Sequence, residues 1–192
     1  SMNHLDLLNE LASLSRHALT QLPDQSLQRV SELLLRAPKT FVFGVGHSGL
    51  ISRILPMKLR HVGLQAYTVH DEINPPLDPG DIMFAVSQSG ETATVVTLAK
   101  KAKTLGGTVV GITSAPHSSL GAVCDLVLVV PNVESTARAP SFAPMGGVDA
   151  RNVRGAVFGM NIYVLSYALV LTVARLRGET PESIDARHAN LE

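Results

Sequence analysis

Asp81-Ile82-Met83-Phe84-Ala85-Val86-Ser87-Gln88-Ser89-Gly90-Glu91-Thr92 is the stretch on which the fold turns. Asp81 to Val86 is an apolar run of strand length, preceded by Gly80 and followed by a polar turn. From Glu91 to Leu105 the pattern changes to helical spacing, and Gly106-Gly107 stops it. A strand feeding a helix through a short turn is the repeating unit of a parallel sheet. The turn carries Ser87, Ser89, Gly90 and Thr92. Amides at a helix N-terminus, with hydroxyls beside them, form a site for phosphate.

Working outward, the same unit recurs. Thr40 to Val45 is a short apolar strand, and Gly44-Val45-Gly46-His47-Ser48-Gly49 is a second turn of phosphate type. Ser48 to His61 reads as one helix, kinked at Pro56. Further strands are expected at Gln65 to Val69, Thr108 to Ile112 and Leu126 to Val130, with a short helix over Ser118 to Val123. Leucines at helical spacing mark helices over residues 3–20 and 24–36, the second with Asp24 as N-cap. The strands are continuous apolar runs, which is the signature of burial on both faces. The expectation is a three-layer α/β sandwich on a five-stranded parallel sheet with right-handed crossovers.

The bulk properties narrow the function. A chain of 192 residues suits one domain. With 45% hydrophobic and 17% charged residues it can bury a large core. Lys and Arg total 16, as do Asp and Glu, so no broad nucleic-acid surface is expected. Cys124 is the single cysteine, set in an apolar run, and predicts a buried, inert thiol in a reducing cytoplasm. The N-terminus lacks the order of a signal peptide. Val157 to Ala174 is apolar for about 18 residues, the lower limit of a membrane span. Asn161, Ser166 and Thr172 interrupt it and arginines flank both ends, so a helix buried in an oligomer interface is expected, with no membrane.

The chain divides into N-terminal helices (1–38), an α/β core (39–131), a variable loop (132–156) and a C-terminal helix and tail (157–192). The loop is rich in proline and glycine. Loops of about 20 residues are uncommon in compact domains and often functional, the alternative being a mobile insertion.

Gly44, Gly46 and Gly49 also spell G-x-G-x-x-G, which raises a dinucleotide reading, with Asp71 or Glu72 as the ribose-binding acid. Any tight strand-to-helix turn favours glycine, so the motif alone decides little. The serine-rich turn after the third strand discriminates. A pyrophosphate does not require it, and a helix cap needs only one hydroxyl.

Phe43-Gly44-Val45-Gly46-His47-Ser48-Gly49, followed by Ser87-Gln88-Ser89-Gly90-Glu91-Thr92, resembles the sugar isomerase (SIS) domain. The likeness continues through Gly111-Ile112-Thr113-Ser114 and Ala122 to Pro131. It implies a flavodoxin-like sheet that binds phosphosugars. Ala143-Pro144-Met145-Gly146 and the ending Arg187-His188-Ala189-Asn190-Leu191-Glu192 are similar to the 6-phospho-3-hexuloisomerase family. That resemblance implies interconversion of 3-hexulose 6-phosphate and fructose 6-phosphate, no metal or organic cofactor, and a homo-oligomer, dimer or tetramer. It implies Gly46, Ser48, Ser87, Ser89, Gly90 and Thr92 as phosphate ligands.

Moving a carbonyl from C3 to C2 requires a base for the C2 proton and a partner for the enediol oxygens. The family usually carries a glutamate soon after Pro-Met-Gly. Counting forward from Gly146 puts it at Ala150, and counting back from Arg187 puts it at Gly159. Neither is a carboxylate, and the mismatch implies an insertion. Asp149 is the nearest acid, with a solvated loop carboxylate as its alternative role. Glu91 and Glu72 are further candidates. His188 is a candidate acid or base that can reach a neighbouring subunit, and His47 is a candidate sugar contact. Arg138, Arg151 and Arg154 can close over the substrate or form a solvated face. A phosphosugar sensor without turnover is the second function class.

Overall fold

The computed structural model describes residues 4–132 and 150–191, with backbone only at 150–152. Five strands, β1 (Thr40–Gly44), β2 (Ala66–Thr68), β3 (Ile82–Val86), β4 (Thr108–Thr113) and β5 (Leu126–Val129), form one parallel sheet in the order β2-β1-β3-β4-β5. The helices are α1 (His4–Leu19), α2 (Asp24–Arg36), α3 (Gly46–Ser52), α4 (Ile54–His61), α5 (Ala93–Thr104), α6 (Ser119–Val123), α7 (Ala150–Arg177) and α8 (Pro181–Asp185). The architecture is the expected three-layer α/β sandwich.

The pleat sends alternate residues to opposite layers. Val42, Phe84, Val110, Ile112 and Leu128 pack against α2, α4 and α7 through Leu34, Leu55, Leu59, Ile162, Leu165 and Leu169. Phe43, Met83, Ala85 and Val109 face α5 and α6, meeting Val95, Ala99, Ala102 and Leu120. Continuous apolar strands are the consequence of that double coverage.

Asp81 ties the sheet to its loops. It is fully buried, and its carboxylate accepts from the amides of Lys39 (3.0 Å) and Asp78 (2.8 Å) while pairing with Lys39 Nζ at 3.2 Å. The approach to β1 and the turn before β3 are thereby fastened together.

Three local expectations change. The single kinked helix is two helices, α3 and α4, meeting at Arg53. Pro56 is the third residue of α4, where the backbone N–H has no intrahelical acceptor to lose. Asp24 does not cap α2: Pro23 holds the N-cap position, and Asp24 adds its charge inside the first turn. The apolar helix is longer than its apolar run at both ends: α7 starts at Ala150, inside the stretch 132–156 expected as loop, and reaches Arg177.

By length and composition, Val153–Arg177 is apolar enough to cross a membrane. In the fold it packs against α1, α2, α3 and α4, which accounts for the apolarity of its inner face. Ile162, Leu165, Leu169 and Val173 are at most 1% exposed, whereas Tyr163, Val164, Leu171 and Leu176 remain on the outer face. Ser15 Oγ donates to Asn161 Oδ1 at 2.5 Å, placing a buried polar contact between α1 and α7. The thiol of Cys124 is pushed up to about 11, first by burial and then by the Asp125 charge, as expected of an inert cysteine.

Candidate active site at the switch point of the sheet

From β1 the chain steps outward to β2, then returns past β1 to β3 and continues to β5. The strand order reverses between β1 and β3, and in open α/β sheets ligands bind outside the carboxyl ends of the strands at such a switch point. Both turns of phosphate type emerge there. Gly44 is paired with Val86, so Gly44–Gly49 and Ser87–Thr92 leave adjacent strands side by side.

The first turn doubles back tightly on itself. A Cβ on Gly49 would stand 2.5 Å from the Gly44 carbonyl oxygen, a backbone atom that cannot retreat. That approach, with Gly46 at φ +58°, accounts for all three glycines without any dinucleotide. Gly46 and His47 are exposed and Ser48 is half-buried.

The second turn is stapled by its own hydroxyls. Ser87 Oγ lies 2.8 Å from Thr92 Oγ1 and accepts from the Gly90 amide at 3.1 Å. Ser89 Oγ accepts from the Glu91 amide at 3.2 Å. Thr92 stands at the N-cap of α5, yet its side chain makes no capping bond there. Its hydroxyl therefore serves the turn, not the helix end. The Gly90 and Glu91 amides, expected to face an anion, are engaged by Ser87 and Ser89. Ser87 is only 3% exposed, while Ser89 lies at the surface.

The loop after β4 supports this turn. Gln88 O accepts from Thr113 Oγ1 (3.1 Å) and the Ser114 amide (3.0 Å), and the Leu120 amide donates to Gly90 O at 2.9 Å. Gly90 has φ +67°, and a Cβ there would meet Ser118 Oγ at 1.8 Å. Thr113, Ser118 and Ser119 went unassigned in the sequence. Hydroxyl residues in a Ser-Ala-Pro-His-Ser-Ser loop were the available signal.

Glu91 is placed differently from a base. Its carboxylate accepts from the Ser119 amide (2.8 Å) and Ser119 Oγ (2.6 Å), so it binds the start of α6. Those bonds, the hydroxyl's first and the amide's second, hold its pKa below the ordinary carboxylate value. The group is a poorer proton acceptor for it.

Histidines stand at both edges of the sheet. His70 follows β2 at the site edge; its Nε2 lies 2.7 Å from Gly44 O, with its ring against Phe43. A carbonyl only accepts, so Nε2 is the donor of this bond. Glu72 is exposed in the turn after β2, braced by Asn74 Nδ2 donating to Thr68 O and Asp71 O. The His47 ring rests on Gly159 of α7, one of the two counted positions of the family carboxylate; a Cβ at Gly159 would meet His47 Cε1 at 2.5 Å.

His188 is not brought to this edge within its own chain. α4 runs back from the switch point, and its last residue, His61, lies near the amino ends of the strands. The His188 ring packs on His61 with centroids 4.0 Å apart. Burial first, then His188 and Lys58, lowers the His61 pKa. Arg187 donates to His61 O (3.1 Å) and Glu179 Oε2 (2.7 Å), fastening the tail there. Asp149, Arg138 and Ala143-Pro144-Met145-Gly146 lie outside the described residues, and only the backbone of Arg151 is described.

A five-stranded parallel sheet with two hydroxyl-bearing turns side by side at its switch point defines an α/β domain of the open, doubly wound class. The SIS domain model matches residues 33–147, and the chain belongs to that family. A 3-hexulose-6-phosphate isomerase of Bacillus subtilis is 30% identical over 187 residues, 97% of this chain and 96% of its own. Another of that name, from Methylomonas aminofaciens, is 34% identical over 172 residues, 85% of this chain and 86% of its own. A Methanococcus jannaschii crystal structure, from which 3-hexulose-6-phosphate isomerase function was inferred, superimposes with a TM-score of 0.76 at 25% identity, covering 98% of each chain.

Proposed function

We propose that the protein is a phosphosugar isomerase that interconverts 3-hexulose 6-phosphate and fructose 6-phosphate through an enediol. One observation carries the reading: the two hydroxyl-bearing turns stand side by side at the switch point, Ser48 on one and Ser87, Ser89 and Thr92 on the other. In this reading they hold the phosphate with Gly46 and Gly90, and the hydroxyls now engaged within the turn exchange one partner for a phosphate oxygen. Remote binding free energy then places the reacting carbons at the switch point. His47 and Glu72, at the same edge, meet the sugar. The names of relatives at about 30% identity support the substrate. His188 takes part only from a second copy, which makes a homo-oligomer part of the proposal.

The experiment is solvent exchange. Fructose 6-phosphate incubated with the protein in D2O should gain deuterium at C3, the carbon that loses its proton in the reverse reaction. It should also raise the melting temperature. Stabilisation without exchange favours the second reading, a sensor, which the absence of a carboxylate at both Ala150 and Gly159 supports. No stabilisation by hexose or pentose phosphates rejects both.

A further inference from the structure

We infer that the imidazole of His47 is the group that moves the proton between C2 and C3; the inference rests on the isomerase reading. Among the titratable side chains described at the carboxyl ends of the strands, Glu91, His70, Glu72 and His47 belong to or flank the two turns. Glu91 is bound to Ser119 and made less basic by it. His70 uses Nε2 on Gly44 O and braces the first turn. Glu72 lies out beyond β2, the edge strand. His47 is in the first turn itself, between Gly46 and Ser48, beside β3 and its phosphate-type turn.

The chain holds this ring in place at a cost. Glycine inside a helix loses about 0.5–1 kcal/mol relative to alanine. α7 carries two, and they differ. A Cβ on Gly155 would meet nothing within 4 Å, whereas one on Gly159 would meet His47 Cε1, Nε2 and Nδ1 at 2.5, 3.1 and 3.4 Å. Gly159 is thus the floor on which the imidazole lies. The rest of the side chain is open to solvent, since His47 is exposed, and a Cβ on the neighbouring Gly46 would meet nothing within 4 Å. An exposed imidazole backed by a helix is positioned yet able to exchange its proton with water.

The chemistry balances without a cofactor. Neutral imidazole takes the C2 proton of 3-hexulose 6-phosphate. The C2–H electron pair becomes the C2=C3 bond as the C3 oxygen takes a proton from water. The imidazolium then delivers its proton to C3 while the C2 hydroxyl releases one to water, leaving the ketone at C2. One ring serving both carbons also predicts partial exchange with solvent.

The test measures deuterium gain at C3 of fructose 6-phosphate alongside ligand-induced stabilisation. His47→Ala should lower exchange by about 100-fold or more, the usual worth of a general base, while stabilisation persists. Added imidazole should restore exchange in His47→Ala with saturation, and not in the wild type. Gly159→Ala, whose methyl displaces the ring, should also lose exchange, by about 100-fold. Exchange by the wild type that persists in His47→Ala within about threefold overturns this inference alone. Loss of stabilisation together with exchange, without imidazole rescue, makes His47 a binding residue and also overturns it. No exchange by the wild type rejects the isomerase reading, and the inference with it.

Discussion

Gly90→Ala examines the second turn through a contact specific enough to be cancelled. Gly90 sits at φ +67°, with its future Cβ 1.8 Å from Ser118 Oγ and 2.5 Å from Ser118 Cβ. The left-handed conformation costs an alanine about 1–2 kcal/mol. Relieving the overlap forces the start of α6 to move, at about 1–3 kcal/mol for an overpacked contact. The expected loss is therefore about 2–5 kcal/mol, a fall in melting temperature of about 10 °C for a domain of this size. Ser118→Gly removes both overlapping atoms. It also removes the side chain that accepts from the Gly121 amide at the α6 N-cap, which costs a few tenths of a kcal/mol when glycine replaces serine. In urea unfolding, the double variant should thus recover about 1–3 kcal/mol relative to Gly90→Ala, leaving the backbone strain, the lost cap and the milder approach to Thr113 Oγ1 at 3.2 Å. A Gly90→Ala protein within about 0.5 kcal/mol of wild type would refute the argument. So would a double-mutant cycle with no coupling, since the overlap would then not be the cause.

Other residues give independent readings. Asp81→Ala leaves the Lys39 and Asp78 amides without their acceptor and should cost about 3 kcal/mol in urea unfolding; an unchanged midpoint contradicts the buried anchor. The tail contact should weaken in acid. His61 has a folded pKa below its ordinary 6.5, so the neutral ring is favoured in the fold. Its contribution is full above pH 6.5 and is lost as pH falls toward the lower folded value. Glu179, held down to about 2 chiefly by Arg187 and then Ser183, stays ionised throughout and does not mask the effect. Amide protection of α8, corrected for intrinsic exchange, should therefore fall below pH 6.5; constant protection argues against the His61–His188 contact. Cys124, pushed to about 11, should react with iodoacetamide at pH 8 about 100-fold more slowly than in urea, and equal rates would show the thiol to be open.

The strand and helix pattern was legible because burial on both faces demands continuous apolar runs, and because Ser87–Thr92 and Gly44–Gly49 mark strand-to-helix junctions. Element ends were less so. Pro56 reads as a kink in any helix, and only its place in the first turn of α4 shows that it opens one. Asp24 has the chemistry of a cap, but Pro23 takes that position. The site was half legible. Hydroxyls cluster locally, so the turns could be found. Glu91 looked available as a base until Ser119, 28 residues onward, was seen to hold it. His188 looked close to the chemistry through its resemblance, yet within its own chain it lies against His61 at the far edge of the sheet.

The amino-acid sequence by itself determined the layers, the parallel sheet and the two turns, because those depend on local spacing and burial pattern. Tertiary structure alone decided which groups at those turns are engaged by distant parts of the chain. The reason is distance along the chain: Ser119 reaches back to Glu91, and Gly159 of α7 closes beneath His47. Contacts between residues so far apart leave no periodicity to read. They exist only once the sheet has brought the ends of β1 and β3 together.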